Sequence, residues 1–265
     1  MIGKVASNDD LSLLRAFRKN RADEERSLTR LASGKRINTG ADDPAGLISS
    51  EQLSAAIASL EAESRSIERA NSNAAITDGR VAQVSSMLND VKALQVASAN
   101  TGAMSDAEIE ANQMQIDSIV ASARRFIGDT VSSLDGFRMP DGGNAALEDK
   151  LNTVATTLAS FLTGGANSLA SGNFEQASSA LSDAVTNISE VRGTIGAYQK
   201  HTLEPRLNSS AIERENLLAS RSEILDTDYA AETARLTQAK IRTTATVSLL
   251  RISQQNSLRV LDLLA

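Results

Sequence analysis

The chain has 265 residues, a net charge of −6, 41% hydrophobic and 3% aromatic residues, no Trp and no Cys. Such a length allows one or two domains, the absence of Cys excludes disulfides and thiolate metal sites, and the acidic balance argues against nucleic acid as a partner. With few large rings to build a core, the composition favours long helices packed through small and aliphatic side chains.

Leu11 to Ser33 reads as a helix, with Leu14, Phe17, Leu28 and Leu31 at spacings compatible with one face. The charge run Arg18 to Arg26 reads as a solvated face with i,i+4 pairs such as Arg21 with Glu25. Gly34, Asn38, Gly40 and the Asp42-Asp43-Pro44 run then break the helical pattern. Asp43 is a good N-cap because its carboxylate can accept from the orphan amides of a following turn. Pro44 suits the first helical position, where its missing N–H costs nothing. A helix end, an extended connector and a capped helix start are therefore expected.

From Pro44 to about Asn100 the pattern is helical, with Leu53, Leu60, Ile67, Ala74, Val81 and Leu88 at every seventh residue and Ile57, Val84 and Val91 beside them. A period of seven sustained this long implies a left-handed coiled-coil seam. The helix would run roughly 80 Å and needs partners of similar length. A shorter helix is expected from Asp106 to about Phe126, with Ile109, Gln113, Ile116, Ile119 and Val120 inward. Between Ile127 and Gly143, the residues Gly128, Gly136, Pro140, Gly142 and Gly143 punctuate short segments and predict a β-hairpin near 127–143.

A helix over Ala145 to Leu162 and a Gly/Ser/Asn linker to Asn173 come next. The second long pattern starts at Phe174, with Leu181, Ile188 and Ile195 heptad-spaced, and continues through Leu207, Ile212 and Leu218 to Ile224. It is the expected antiparallel partner of the 44–100 helix. Pro205 lies inside it, so the helical ladder should be interrupted between Gln199 and Leu207 and resume in phase. The last helix, from Asp226 on, carries Val247, Leu249, Leu250, Ile252, Leu258, Val260, Leu261, Leu263 and Leu264 around its axis. A monomer could not bury all of these, and an apolar patch so long marks an assembly surface. A membrane-surface helix would want a basic face, and only Arg251 and Arg259 are available.

Chemistry is sparse. His201 is the one histidine, and it supports neither a triad nor a metal cluster. The pairs Glu61 with Glu63, Glu108 with Glu110 and Asp226 with Asp228 sit two residues apart, so on a helix they do not face each other. No dinucleotide fingerprint, P-loop or zinc-protease string occurs. No catalytic residue, cofactor or metal site is expected. Nothing approaches the run of about 18 apolar residues that a membrane helix needs, and the N-terminus lacks a secretory apolar core.

Three strings carry a resemblance. Arg30 to Gly46, RLASGKRINTGADDPAG, resembles the flagellin N-terminal signature RLSSGxRINSAxDDAAG, with Arg30, Gly34, Arg36, Asn38, Asp42, Asp43, Pro44 and Gly46 as its marked positions here. Arg221 to Ala230, RSEILDTDYA, is similar to the flagellin SRIxDADYA string, and Leu88 to Asn100, LNDVKALQVASAN, to LQRVRELAVQSAN. The resemblance implies an all-α rod with a short β-hairpin, in which residues 1–43 and 229–265 pair as a filament-core coiled coil. Residues 44–228 would form the helical rod domain, without large outer domains. Function then follows by resemblance: a subunit that polymerises into the bacterial flagellar filament, for motility, with Leu14, Phe17, Leu28, Leu31, Val247, Leu250, Leu258, Leu261 and Leu264 as assembly residues. Implied partners are copies of itself or sister flagellins, an export chaperone, the type III export apparatus, and hook-associated and cap proteins. No nucleic acid or membrane insertion is implied. Flagellins reach the outside without a cleaved signal, so an extracellular filament is the implied location.

Two alternatives stay open at this point. The hook–filament junction proteins share the helix–loop–helix string, often ending in GKR…DDP; Ala45 to Ile48 and the Asp228-Tyr-Ala match favour flagellin. A generic cytoplasmic coiled-coil scaffold explains the heptads but not the strings. Flagellins sensed by the vertebrate Toll-like receptor carry an Arg in the third string and a Glu on the following helix. The matching positions here are Asp90 and, depending on register, Gln113 or Met114. Weak receptor activation is therefore expected.

Overall fold

The computed structural model describes residues 8–99, 105–134, 139 and 142–264, with side chains described between 11 and 256. Its elements are α1 (Asn8–Ser33), α2 (Pro44–Ala99), α3 (Asp106–Ser133), α4 (Gly143–Ala159), a 3₁₀ turn (Leu169–Ser171), α5 (Phe174–Tyr198), a π turn (Gln199–Leu203), α6 (Glu204–Leu225) and α7 (Tyr229–Leu264). The all-α expectation holds: the one β-type pairing among the described residues is a single antiparallel bridge between Lys35 and Asp226. The chain divides into two compact units, Met1–Ser59 with Glu213–Ala265, and Leu60–Ile212.

Leu60–Ile212 is built on heptads. On α2 the inward line is Ile67, Ala70, Ala74, Thr77, Val81, Val84, Leu88, Val91, Gln95 and Ser98, alternating steps of three and four. α3 repeats the pattern with Gln113, Ile116, Val120, Ala123, Ile127, Thr130 and Leu134, and α5 with Ala177, Leu181, Ala184, Ile188, Val191, Ile195 and Tyr198. α4 contributes Leu147, Leu151, Val154 and Leu158, and Phe161 closes its end. Side chains of all four helices form one cluster, and each fully buried Leu, Ile or Phe adds about 1.5–3 kcal/mol.

Polar contacts fix the directions. Along α2, Gln95 reaches the Phe174 carbonyl (3.0 Å), Asp78 pairs with Arg192 (2.9 Å), Asn71 accepts from Gln199 (2.9 Å) and Glu63 pairs with Arg206 (2.9 Å). Numbers fall on one helix as they rise on the other, so α5 and the start of α6 run antiparallel to α2, as the sequence predicts. α3 also runs antiparallel to α2, with Asn112 on Ser98 (3.0 Å) and Arg80 on the Asp129 carbonyl (3.0 Å).

At Tyr198 the buried line of α5 takes a step of five residues to Leu203, then recovers at Leu207 and Ser210. The π turn absorbs the extra residue, and the Glu204 N–H bonds to the Gln199 carbonyl five residues back. Its wider turn also accommodates Pro205, which has no N–H and would otherwise press on the carbonyl one turn earlier. The predicted interruption and the return to phase are both present.

The hairpin expected near 127–143 is replaced by helix at both ends. Residues 127–133 continue α3 because Ile127, Thr130 and Leu134 prolong its buried line. Gly128 points to open space, so its cost in a helix, about 1 kcal/mol, is outweighed by the burial of its neighbours. α4 begins at Gly143, and residues 135–138, 140 and 141 lie outside the described part. Asn144 ties the join: its side chain donates to the Leu134 carbonyl (2.8 Å) and accepts from the Met139 amide (2.8 Å).

Candidate assembly surface

The connector after α1 is built from short polar contacts. Gly34 adopts φ +71°, a left-handed C-cap conformation, and its N–H bonds to the Arg30 carbonyl at 2.9 Å. The chain then pairs with the end of α6. Arg36 donates its N–H to the Leu225 carbonyl (2.7 Å) and its guanidinium to the Ile224 carbonyl (2.7 Å), while the Thr227 N–H reaches the Gly34 carbonyl (2.9 Å). The two strings at 30–46 and 221–230, almost two hundred residues apart, thus meet in one clasp. A side chain at Gly34 would meet the Tyr229 hydroxyl at 2.9 Å from its Cβ, on top of the positive φ.

Asp42 holds the rest of the connector. Its Oδ2 accepts from the Asn38 and Thr39 amides (3.2 and 3.0 Å) and from the Thr39 hydroxyl (3.1 Å), and these bonds hold its carboxyl below the ordinary value. Asp43 caps α2 as expected, accepting from the Gly46 N–H at 2.9 Å. Asp228 does the same for α7, accepting from Ala230 and Ala231 at 2.9 and 3.1 Å.

α1 and α7 pair along heptad lines too. The less exposed positions are Leu13, Phe17, Asn20, Glu24, Ser27 and Leu31 on α1, and Glu232, Leu236, Ala239, Thr243, Thr246 and Leu250 on α7. Phe17, Leu31, Val247 and Leu250 are half-buried along this pair. Leu14 and Leu28 lie one position round the helix and are exposed, Leu28 at 46%. Leu11, Ile241, Leu249 and Ile252 are exposed as well, Ile241 at 64%. The side chains of Leu258, Leu261 and Leu264 lie outside the described part.

The middle of the seam is polar, which periodicity in apolar residues could not reveal. Ser27 donates to Glu232 (2.6 Å), Arg235 bonds it at 3.1 Å and Arg30 stands 3.8 Å away. Further along, Asn20 donates to Thr246 (3.1 Å). The signal was in the sequence only as spacing: Ser27 and Glu232 occupy heptad positions that a hydrophobic count passes over.

The other candidates fall into structural places. Asp90 is exposed on α2. Gln113, by contrast, is buried, donating to the Phe161 carbonyl and to Asp117 and accepting from the Leu169 N–H, each at 2.8 Å. It pins the 161–169 turn onto α3 and presents no surface; Met114 beside it is 62% exposed. Glu108 completes a capping box with Ser105, whose N–H and hydroxyl hold its carboxyl below the ordinary value. His201 is exposed in the π turn. Among the described residues no three His, Cys, Asp or Glu side chains converge as metal ligands, and no helix is long and apolar enough to cross a membrane.

Comparison with known proteins covers the chain nearly end to end. Residues 7–132 match the family model of the bacterial flagellin N-terminal helical region, and residues 179–264 that of the C-terminal helical region. Flagellin of Bacillus subtilis is 26% identical over 299 residues, covering 96% of this chain and 97% of the relative. The 30.7 kDa flagellar filament core protein of Treponema maltophilum is 27% identical, covering 90% and 91%. A flagellar filament core protein of Brachyspira hyodysenteriae is 26% identical, covering 96% and 99%.

Proposed function

This chain belongs to the bacterial flagellin family, and from that premise we propose that it is a structural subunit of the flagellar filament whose α1–α7 pair is the joining surface between copies. The observation that carries the assignment of the surface is the outward set of Leu11, Leu14, Leu28, Ile241, Leu249 and Ile252 on two helices that pack on each other. Isolated exposed apolar residues are ordinary on any protein, whereas a set along two adjoining helices is what a polymer contact uses. A relative named as a filament core protein matches almost its whole length to this chain, which favours filament subunit over junction protein. The family is structural, and among the paired carboxylates Glu108 and Asp228 serve as helix caps, Asp226 accepts from Ser222 and Glu63 pairs with Arg206. Export without a cleaved signal, an export chaperone on the C-terminal segment, and hook-associated and cap proteins as neighbours follow from the same reading.

Cryo-electron microscopy of polymer grown from the purified chain tests the subunit reading directly. Deleting residues 247–265 tests the surface. The truncated chain should stay monomeric while the Leu60–Ile212 unit still melts cooperatively. Polymerisation equal to that of the full chain would overturn the assignment.

A further inference from the structure

Contacts in which unlike faces meet are what extend a polymer, whereas a patch that meets only its own twin closes a dimer. The α1–α7 pair supplies one such face, and it is basic. Its two helices carry eleven Lys and Arg against seven Asp and Glu, while Leu60–Ile212 carries eleven against eighteen. The complement therefore belongs on the Leu60–Ile212 unit. Beside the start of α3 that unit has a hollow lined by Ile109, Met114, Leu169 and Phe174, with Asp106 and Glu110 among its walls. Met114 is 62% exposed, and neither of the two carboxylates has an ion pair among the described residues. Gln113 ties α3 to the opposite wall through the Phe161 carbonyl and the Leu169 N–H, so the hollow is formed before anything enters it.

We propose that this hollow receives the Leu11–Arg18 face of α1 from a second copy of the chain. The contact presupposes the filament reading and supplies the surface that meets α1. Two features of α1 select it as the occupant. Leu11, Leu14, Arg15 and Arg18 stand at i, i+3, i+4 and i+7, the spacing by which one helix face enters an apolar groove. All four are exposed, and neither arginine has an ion pair among the described residues. The two leucines then cover Met114, Ile109 and Phe174, while Arg15 and Arg18, one turn apart, face Asp106 and Glu110, also one turn apart. A guanidinium presents a planar fork shaped for a carboxylate, and such complementary charge fixes register more than raw affinity. Leucines alone would let α1 slide along the hollow; two ion pairs would not.

The critical concentration for polymerisation of the full chain tests this. Glu110→Arg and Arg18→Glu should each raise it about tenfold, the effect of losing one charge-assisted contact. Helix content of the monomers by circular dichroism should be unchanged, because both side chains are exposed. The chain carrying both exchanges should return towards the parent value, since every copy then offers the reversed pair. Single variants that polymerise at the parent concentration, or a double variant no better than the singles, would overturn the inference and leave the filament reading standing. The chain has no Cys, so Leu14→Cys combined with Met114→Cys reports on this contact alone. Oxidation of its polymer should give a ladder of linked chains, and neither exchange by itself should give a linked dimer. A link closed within one chain would mean that α1 meets its own hollow, and a dimer from either single exchange that like faces meet like; each overturns the second-copy assignment. Failure of the parent chain to polymerise at all would instead bring down the filament reading, and this inference with it.

Discussion

Single residues decide the clasp, and Asp42 is the one whose charge state matters. Its carboxylate accepts three bonds from Asn38 and Thr39, which lower its pKa in the folded chain. A lowered folded pKa means that its contribution is complete above the unfolded value and is lost as pH falls through the folded one. The connector should therefore hold at neutral pH and loosen below about pH 4. Hydrogen exchange at the Thr39 amide would show this, and Asp42→Asn should remove the acid step. A connector whose exchange is flat from neutral pH to pH 2 would refute it. Asp90 carries the receptor expectation by itself if the second position is Gln113, since that side chain is buried in the turn it holds. Replacing a central Arg in an interface typically costs about 2 kcal/mol or more, and an acid adds repulsion toward acidic partners. We propose that the monomer activates the receptor weakly and that Asp90→Arg restores part of the signal in reporter cells. Strong activation by the unmodified chain would contradict this.

Elements show what was legible and what was not. The lines through Ile67, Val81 and Leu88 on α2 and through Leu181, Ile188 and Ile195 on α5 could be read because apolar residues mark them. The α2 line also passes through Thr77 and Gln95, and that of α1 through Ser27, and these were invisible in the sequence because a buried polar residue looks like a surface one until its partner is known, whereas Gln113 on α3 was expected inward and is buried. Glycine density misled at 127–143, where Gly128 sits harmlessly on the open face of α3 while Ile127 and Leu134 settle the conformation. The interruption was legible from Pro205, and the π turn that carries it, one residue wider than a regular turn, makes a divided prediction. Deleting Lys200 alone would force Pro205 into a regular helix and should cost about 3 kcal/mol. Pro205→Ala alone should change little, because the surplus residue still requires the wide turn. The two together should restore most of the loss, since the step from Tyr198 to the next buried leucine becomes an ordinary four. Urea unfolding of the three variants checks this, and equal stability of the two single variants would show the π turn to be set by something else.

At the scale of the whole molecule, the two units are stabilised by different physics. Leu60–Ile212 encloses a continuous apolar cluster drawn from four helices, with its polar pairs, such as Asp78 with Arg192, on the outside. The α1–α7 pair is mixed: Ser27, Glu232 and Thr246 are buried between the helices beside Ala239, Phe17, Leu31 and Leu250 are only half-buried, and Leu28, Ile241 and Ile252 face outward. Exchanging water contacts for internal polar ones yields only about 0.5–1.5 kcal/mol per hydrogen bond, while each apolar side chain left in water forgoes about 1.5–3 kcal/mol. Local opening should follow that difference. In the monomer, amides of α1 and α7 should exchange orders of magnitude faster than those of the Val81–Val91 and Leu181–Ile195 segments. Polymerisation should slow α1 and α7 selectively, because the residues it covers belong to them. The core segments, already closed, should barely change. Hydrogen exchange by mass spectrometry on monomer and polymer separates the outcomes: equal protection of the two units in the monomer, or no gain on α1 and α7 in the polymer, would mean that the terminal pair is stabilised from within and that the joining surface lies elsewhere.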